Sequence, residues 1–405
     1  MADSSANQVE VSTMPWSEIK AEEQRKLFVD EWLAKDATVT QLCDRFGVSR
    51  QTGHKWIRRF KEDGQRGLGS RSRAPLSHPN AAPAAVRELV LQAREKHPSW
   101  GPRKLLERLR RDMPEVSWPA PSTVGDLLSR AGLVKPRRRS QAPYRPASTL
   151  TPADEPNAVW CIDVKGWFRT QDGRRCNPLT ITDQHSRYLI ECRHLDRVTH
   201  DNVQKVLERC FREHGLPLVM RSDNGPPFGV QGLGGLSRLS LWLVRLGIRP
   251  EHIQPGKPQQ NGAHERMHRT LGAETTQPPE STIDRQQRLF ERFRDEYNTV
   301  RPHQSLAGDT PAEHYSRSSR PFPSRLPELV YPDDFEVRRV RTNGQIRWHQ
   351  HLIFLGECFI GELVGIKAVT SRYSVVYYGP HAIALLDLEH RRIEKRLDKL
   401  EIKVP

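Results

Sequence analysis

Three acidic residues stand where their neighbours explain them. Asp163 closes the apolar run Val159-Trp160-Cys161-Ile162. Asp223 follows Leu218-Val219-Met220 and Arg221-Ser222, and precedes the turn signal Asn224-Gly225. Glu265 lies in Gln260-Asn261-Gly262-Ala263-His264-Glu265-Arg266, about one turn inside a helix expected to begin near Pro258. Carboxylates from two strand ends and a helix offer the hard oxygens that magnesium prefers, with substrate phosphates completing the coordination. Asp183, in Thr182-Asp183-Gln184-His185-Ser186-Arg187, is the nearest rival, but it enters a turn where Asp commonly caps backbone amides. Glu274 lies about 13 Å further along the same helix than Glu265, at about 1.5 Å per residue, and cannot replace it. His264 and His268, four apart, could bind zinc, yet Glu265-Arg266-Met267 between them is not the metalloprotease pattern. Lys257, Asn261 and Arg266 flank the helix start and suit contacts to DNA phosphates or bases.

The elements that must carry these acids alternate. A first strand is expected to run to Phe168 and to be reversed at Asp172-Gly173, with Pro178 to Thr182 and Tyr188 to Cys192 as the next two strands. After Thr199, Val203, Val206, Leu207, Cys210 and Phe211 form the apolar stripe of a helix that packs on the sheet.

Four segments in order resemble the catalytic core of insertion-sequence transposases in the DDE transposase and retroviral integrase superfamily. They are Trp160-Cys161-Ile162-Asp163, Ser222-Asp223-Asn224-Gly225, Pro258 to Arg266, and Tyr297-Asn298-Thr299-Val300-Arg301-Pro302-His303. The resemblance covers roughly residues 150–317 and implies an α/β ribonuclease H-like core. It also implies two Mg2+ (or Mn2+) ions per site, Asp163 bridging them while Asp223 and Glu265 each hold one. The implied chemistry is DNA cleavage followed by strand transfer, with double-stranded DNA (element ends and target) as partner and a homo-oligomer assembled on it. One departure is the 42-residue step from Asp223 to Glu265, longer than usual in the family; the stretch Gly229 to Gly235 is expected to absorb it as a loop.

Composition agrees with a polyanionic partner. The 405 residues carry 64 Lys plus Arg against 49 Asp plus Glu, a net charge of +15, and clustered cations gain affinity by releasing phosphate counterions. Net charge alone fits DNA, RNA or an anionic membrane equally. No apolar stretch reaches the ~18 residues of a membrane span, the N-terminus has no secretory pattern, and a cytoplasmic, nucleoid-associated protein of a prokaryotic host is expected. Six scattered cysteines without a Cys-x-x-Cys pair predict reduced, mostly buried thiols.

Residues 18–62 predict a helix-turn-helix. A helix carrying Leu27, Phe28 and Leu33 leads into Thr38 to Phe46, the turn at Gly47-Val48-Ser49, and a helix from Arg50 to Lys61 with Trp56, Ile57 and Phe60 inward. Arg50, Gln51, His54, Lys55, Arg58 and Arg59 then face outward, suited to a major groove. Residues 63–80 read as a basic linker with Arg71 and Arg73. Residues 81–135 form a second helical domain that resembles the second helix-turn-helix of such transposases, with Ser122 capping its last helix and Gly132 ending it. Arg137, Arg138 and Arg139 make a basic tether. Residues 327–405, rich in Val, Ile, Tyr and Phe split by Gly, predict an all-β domain, a small β-barrel. Its cations Arg338, Arg339, Arg341, Arg347, Lys367 and Arg372 fit either a DNA contact or a plain solvated wall. Two other activities fit this chain: a catalytically inactive DNA-binding regulator derived from a transposase, against which the intact acidic triplet argues, and a nuclease that hydrolyses without strand transfer.

Overall fold

A computed structural model describes residues 21–70, 82–134, 150–229, 233–254, 258–390 and 392–394. The chain forms two compact units, residues 1–81 and 82–405.

In the first unit, capping chemistry sets the helix starts. Helix α1 (Ala21–Ala34) precedes α2 (Val39–Arg45), which begins at a capping box between Thr38 and Gln41. Helix α3 (Arg50–Asp63) begins where the Thr52 N–H donates to Ser49 Oγ at 3.2 Å. Gly47 makes the turn between α2 and α3 at φ +62°. Gly53 lets α3 lie against its neighbours: a Cβ there would come within 2.5 Å of Cys43 Sγ and 3.0 Å of Phe28 Cζ. Phe28, Val29, Leu42, Cys43 and Ile57 form the core, while Leu27 and Leu33 are exposed. The stretch expected to start the linker instead continues the fold as a 3₁₀ turn (Gly64–Leu68) that buries Leu68.

The second unit opens with α4 (Ala84–Lys96), α5 (Pro102–Asp112) and α6 (Pro121–Arg130), joined through Val90, Trp100, Leu105, Leu106, Val124 and Leu128. Ser122 does not cap α6; the helix starts at Pro121, whose fixed φ suits the first turn. Gly132 follows the helix end at φ +72°, as expected.

The core sheet has the order β5-β4-β1-β6-β7. Strands β1 (Val159–Val164), β6 (Val219–Ser222) and β7 (Arg249–His252) pair in parallel, while β4 (Pro178–Asp183) pairs antiparallel with both β1 and β5 (Leu189–His194). Strand β1 stops at Val164 rather than Phe168. Past Gly166, at φ +91°, the chain turns into a separate hairpin of β2 (Phe168–Arg169) and β3 (Arg175–Cys176). Helix α7 (His200–His214), capped by Thr199, and α8 (Arg238–Arg245) cover one face through Trp160, Ile162, Val203, Leu207, Phe211 and Leu243. Helices α9 (Gly262–Thr275) and α10 (Ile283–Thr299) cover the other through Leu189, Cys192, Met267, Leu271, Phe290 and Phe293. The helix expected from Pro258 begins at Gly262 after a 3₁₀ turn. A short α11 (Pro311–His314) follows.

The C-terminal strands are β8 (Glu336–Arg339), β9 (Gln345–Trp348), β10 (His351–Phe354), β11 (Leu363–Ala368), β12 (Tyr373–Tyr378), β13 (His381–Asp387) and β14 (Arg392–Glu394). Among the described residues they make an open antiparallel sheet, β14-β13-β12-β11-β8, with β9-β10 as a separate ribbon, rather than a closed barrel. Closure would require β14 to pair outward, but it is three residues long and pairs only with β13. This sheet shares an apolar core with α8 and the turn before it, through Leu236, Leu241 and Val244. Every cysteine is free, and all but the half-buried Cys358 are buried. Among the described residues no helix is long and apolar enough to cross a membrane.

Candidate active site

Parallel pairing sets the two aspartates side by side. Cys161 is opposite Arg221, so two residues further along their strands Asp163 and Asp223 emerge together at the carboxyl ends of β1 and β6. This is where open α/β sheets gather ligands. The Gly225 N–H donates to Asp223 Oδ1 at 3.1 Å, closing the Asx turn that the Asp-Asn-Gly signal predicts. Asn224 Nδ2 ties that turn to the Ile253 carbonyl at 2.7 Å. Glu265 occupies the first turn of α9, where the helix N-terminus favours a negative charge, and its side chain is exposed.

The Asp163 carboxyl feels the charges of the other two acids. Burial, then the Asp223 charge and more weakly the Glu265 charge, push the Asp163 carboxyl up to about 7, against a hydrogen bond from the Val164 backbone that lowers it. A carboxylate so destabilised next to two others gains most from a cation. The donor set therefore fits a hard divalent metal.

Behind Asp163 lies a histidine pair. His264 is buried with both ring nitrogens engaged, Nδ1 at 2.8 Å from Thr182 Oγ1 and Nε2 at 2.7 Å from Thr180 Oγ1, and burial holds its pKa well below the usual value. His268 places Nε2 at 2.6 Å from Thr180 Oγ1 and Nδ1 at 3.8 Å from Asp163 Oδ2; burial and then Lys165 lower its pKa to about 4. Asp163, His264 and His268 form a group with metal-binding proximity. The i, i+4 histidine spacing is visible in the sequence; the partnership with Asp163 is not, because it depends on the docking of α9 on β1 and β4.

Two other features of the rim carry no signal in the sequence. Gly272 leaves room on α9 for Lys165, whose Nζ lies 3.0 Å from where a Cβ would be. Trp167, four residues past Asp163, is 54% exposed, with the guanidinium groups of Arg175 and Arg169 at 4.8 and 5.8 Å from its ring centre. An exposed tryptophan between arginines carries the chemistry of a base-stacking platform.

The rival residues are engaged elsewhere. Asp183 accepts from the Asn157 N–H at 2.8 Å, the Ser186 N–H at 2.7 Å and the Ser186 hydroxyl at 2.6 Å. Glu274 pairs with Arg301 at 2.7 Å and accepts from the Ser99 hydroxyl. Arg301 also lies over Trp100, which stacks on His97 with ring centres 3.9 Å apart. Asn298 clasps Leu189 on β5, accepting from its N–H and donating to its carbonyl. The Tyr297-to-His303 segment thus joins the second helical module and β5 to α10.

Of the expected DNA contacts, Arg50, Gln51, His54, Lys55 and Arg58 are exposed on α3, and Arg59 is half-buried, 5.0 Å over Trp56. Arg266 is exposed beside Glu265. Asn261 is turned inward, 4% exposed, with Oδ1 lacking a partner. Arg71, Arg73, Arg137, Arg138, Arg139 and Lys257 lie outside the described residues. On the C-terminal sheet Arg338 pairs with Glu336, Lys367 with Asp334, and Arg372 with Asp387 and Glu389, which favours the solvated-wall reading for those cations.

Residues 153–258 and 246–311 match integrase core domain families, residues 24–75 a helix-turn-helix domain family, and residues 52–128 a homeodomain-like domain family. The chain therefore carries an integrase core domain and helix-turn-helix domains, and its relatives include insertion-element proteins. This integrase-core protein is 28% identical over 254 residues to an uncharacterized 39.2 kDa protein of insertion element IS476 from Xanthomonas euvesicatoria, spanning 61% of this chain and 70% of that one. It is 28% identical over 208 residues to an uncharacterized 31.7 kDa protein of insertion element IS407 from Burkholderia multivorans, spanning 50% and 73%. Among solved structures it is similar to the BIV integrase catalytic core domain, at 22% identity and TM-score 0.31 over 39% of this chain and 93% of that one.

Proposed function

We propose that this integrase-core protein is a DNA transposase that binds the terminal inverted repeats of its element and carries out divalent-metal-dependent cleavage and strand transfer. The observation that carries this reading is that Asp163 and Asp223 emerge side by side at the carboxyl ends of β1 and β6, where Asp163 also feels the charges of Asp223 and Glu265. In this reading Asp163, Asp223 and Glu265 would together hold the divalent metal. Magnesium or manganese, when bound, would activate the attacking oxygen and stabilise the leaving one.

The reaction is two displacements at phosphorus. Water attacks the phosphorus at the element end, forming a new P–O bond as the bond from phosphorus to the element's 3′ oxygen breaks; the phosphate stays on the 5′ end of the flanking strand and the element keeps a free 3′-hydroxyl. That hydroxyl attacks a target phosphodiester, forming one P–O bond as another breaks. The protein's own residues position the strands: Lys165 and Arg266 are cations beside the acids, the Trp167 hairpin offers a stacking surface, and the outward face of α3 suits a groove of the repeat. Both element ends must meet one target, which calls for a homo-oligomer on the DNA.

The test uses the purified full chain and oligonucleotides bearing the inverted repeats that flank its gene. Asp163→Asn, Asp223→Asn and Glu265→Gln are each expected to lose cleavage and strand transfer while keeping end binding within about threefold, since binding rests mainly on phosphate contacts elsewhere. Near-normal strand transfer by any one variant removes that residue from the site. End binding without cleavage by the native chain favours the regulator, and hydrolysis without joining favours the nuclease.

A further inference from the structure

We infer that His268 is a nitrogen ligand, through Nδ1, of the cation that Asp163 binds, so that the site is not built from carboxylates alone. The inference rests on the metal-dependent reading above and adds to it a residue outside the acidic triplet.

The hydrogens around Thr180 decide the tautomers. Thr180 Oγ1 has three neighbours: the Asp163 backbone carbonyl at 3.2 Å, His264 Nε2 at 2.7 Å and His268 Nε2 at 2.6 Å. A hydroxyl has one hydrogen to give and two lone pairs to receive with. The carbonyl can only accept. Giving it the hydroxyl hydrogen leaves both lone pairs for N–H groups, so both rings carry their proton on Nε2. His264 Nδ1 is then an acceptor, matched by the Thr182 hydroxyl at 2.8 Å. This assignment satisfies every partner of Thr180, Thr182 and His264.

It fixes the tautomer of His268. Its Nδ1 carries a bare lone pair, directed to a carboxylate oxygen of Asp163 at 3.8 Å, too far for a direct hydrogen bond. Two lone-pair atoms at this separation leave room for a cation that both can ligate. The arrangement around the ring is the one metal-ligating histidines use: the nitrogen that does not bind donates to a fixed oxygen, which sets the ring's orientation. Here that oxygen is the Thr180 hydroxyl, which in turn donates to the backbone carbonyl of Asp163, so the ring and the acid are held by one strand pair. His264 belongs to this support and is not a ligand, because both its nitrogens are already used. An imidazole nitrogen suits manganese and later first-row ions better than magnesium. His268 therefore tilts the site toward Mn2+ over Mg2+.

The opposite assignment, with Thr180 donating to His268 Nε2, would place an N–H on Nδ1 and make His268 a hydrogen-bonding neighbour of Asp163. The test titrates the full-length protein with Mn2+ alone and records electron spin-echo modulation with natural-abundance and 15N-labelled histidine. A nitrogen coupling that follows the label, and that disappears in His268→Gln while Mn2+ stays bound, is the expected result. The His268→Gln Kd for Mn2+ should rise about tenfold or more, with a smaller change for Mg2+. Bound Mn2+ without nitrogen coupling in the native protein overturns the inference and leaves the metal-dependent reading standing. A chain that binds no Mn2+, with Asp163→Asn no different from wild type, overturns both.

Discussion

Asp163 carries a thermodynamic cost that belongs to its role. Its carboxyl sits near 7 in the folded chain against 3.8 for a free side chain, first through burial and then through Asp223 and Glu265. The folded state thus holds this proton more tightly than the unfolded state. Between those two values stability falls as pH rises, and above about 7 the loss is complete, on the order of 4 kcal/mol at about 1.36 kcal/mol per unit. Asparagine at 163 keeps the shape and removes the charge. In chelator, Asp163→Asn should melt higher than the native protein at pH 8 and within error of it at pH 4. Added Mg2+ should raise the native melting temperature and leave the variant unmoved. Equal melting temperatures at pH 8 would show that the three acids do not strain one another. On the proposed reading the destabilisation falls on the residue that would hold the metal, so loading the site would stabilise the chain.

At the scale of elements, the β2–β3 hairpin extends what β1 contributes. The strand delivers Asp163, and four residues later the chain brings Trp167 to the surface between Arg169 and Arg175. Base stacking on an aromatic ring contributes about 1–3 kcal/mol per base. Trp167→Ala should therefore lower strand transfer roughly five- to hundredfold, with melting unchanged because the side chain is half in solvent, whereas Trp167→Phe should restore most of it. Full activity in the alanine variant would make the hairpin mere scaffolding. Trp167 was not legible in the sequence because an aromatic residue at a strand end normally reads as core. The features that were legible carry local signals: the Ser49 cap, the turn at Asp223, and the apolar stripe of α7 each depend on residues a few positions apart. What escaped depends on long-range pairing. Nothing near His268 announces Thr180, nothing in β8 or β14 says whether a sheet closes, and the Tyr297-to-His303 segment reads as a motif until Arg301 is seen on Trp100 and Glu274.

The whole molecule divides where its composition turns to Gly, Pro and Arg. The first helix-turn-helix has its own core around Phe28, Leu42 and Ile57, whereas the second helical module is fastened to the catalytic core by Arg301 on Trp100, by Arg111 with Asp309 and Glu313, and by Glu296 with His97. The second module therefore belongs to the same compact unit as the integrase core, and the first to the other. Removing residues 1–81 should leave a chain that melts cooperatively close to the native temperature. In footprinting on the terminal repeat, that chain should lose one of two protected patches and keep the one nearer the cleavage site. The salt dependence of binding should also become shallower. Each phosphate-bound cation contributes about 0.9 to the slope of log K against log salt, so loss of Arg50, Lys55, Arg58 and Arg59 should reduce the slope by about 3 to 4. Arg58→Ala with Arg59→Ala in the full chain should give about half of that change, spread evenly over repeat sequences if the side chains touch only phosphates. An unchanged footprint and slope in the shortened chain would mean that the first module reads no part of the element's ends, and recognition would then fall to the helices fastened on the core.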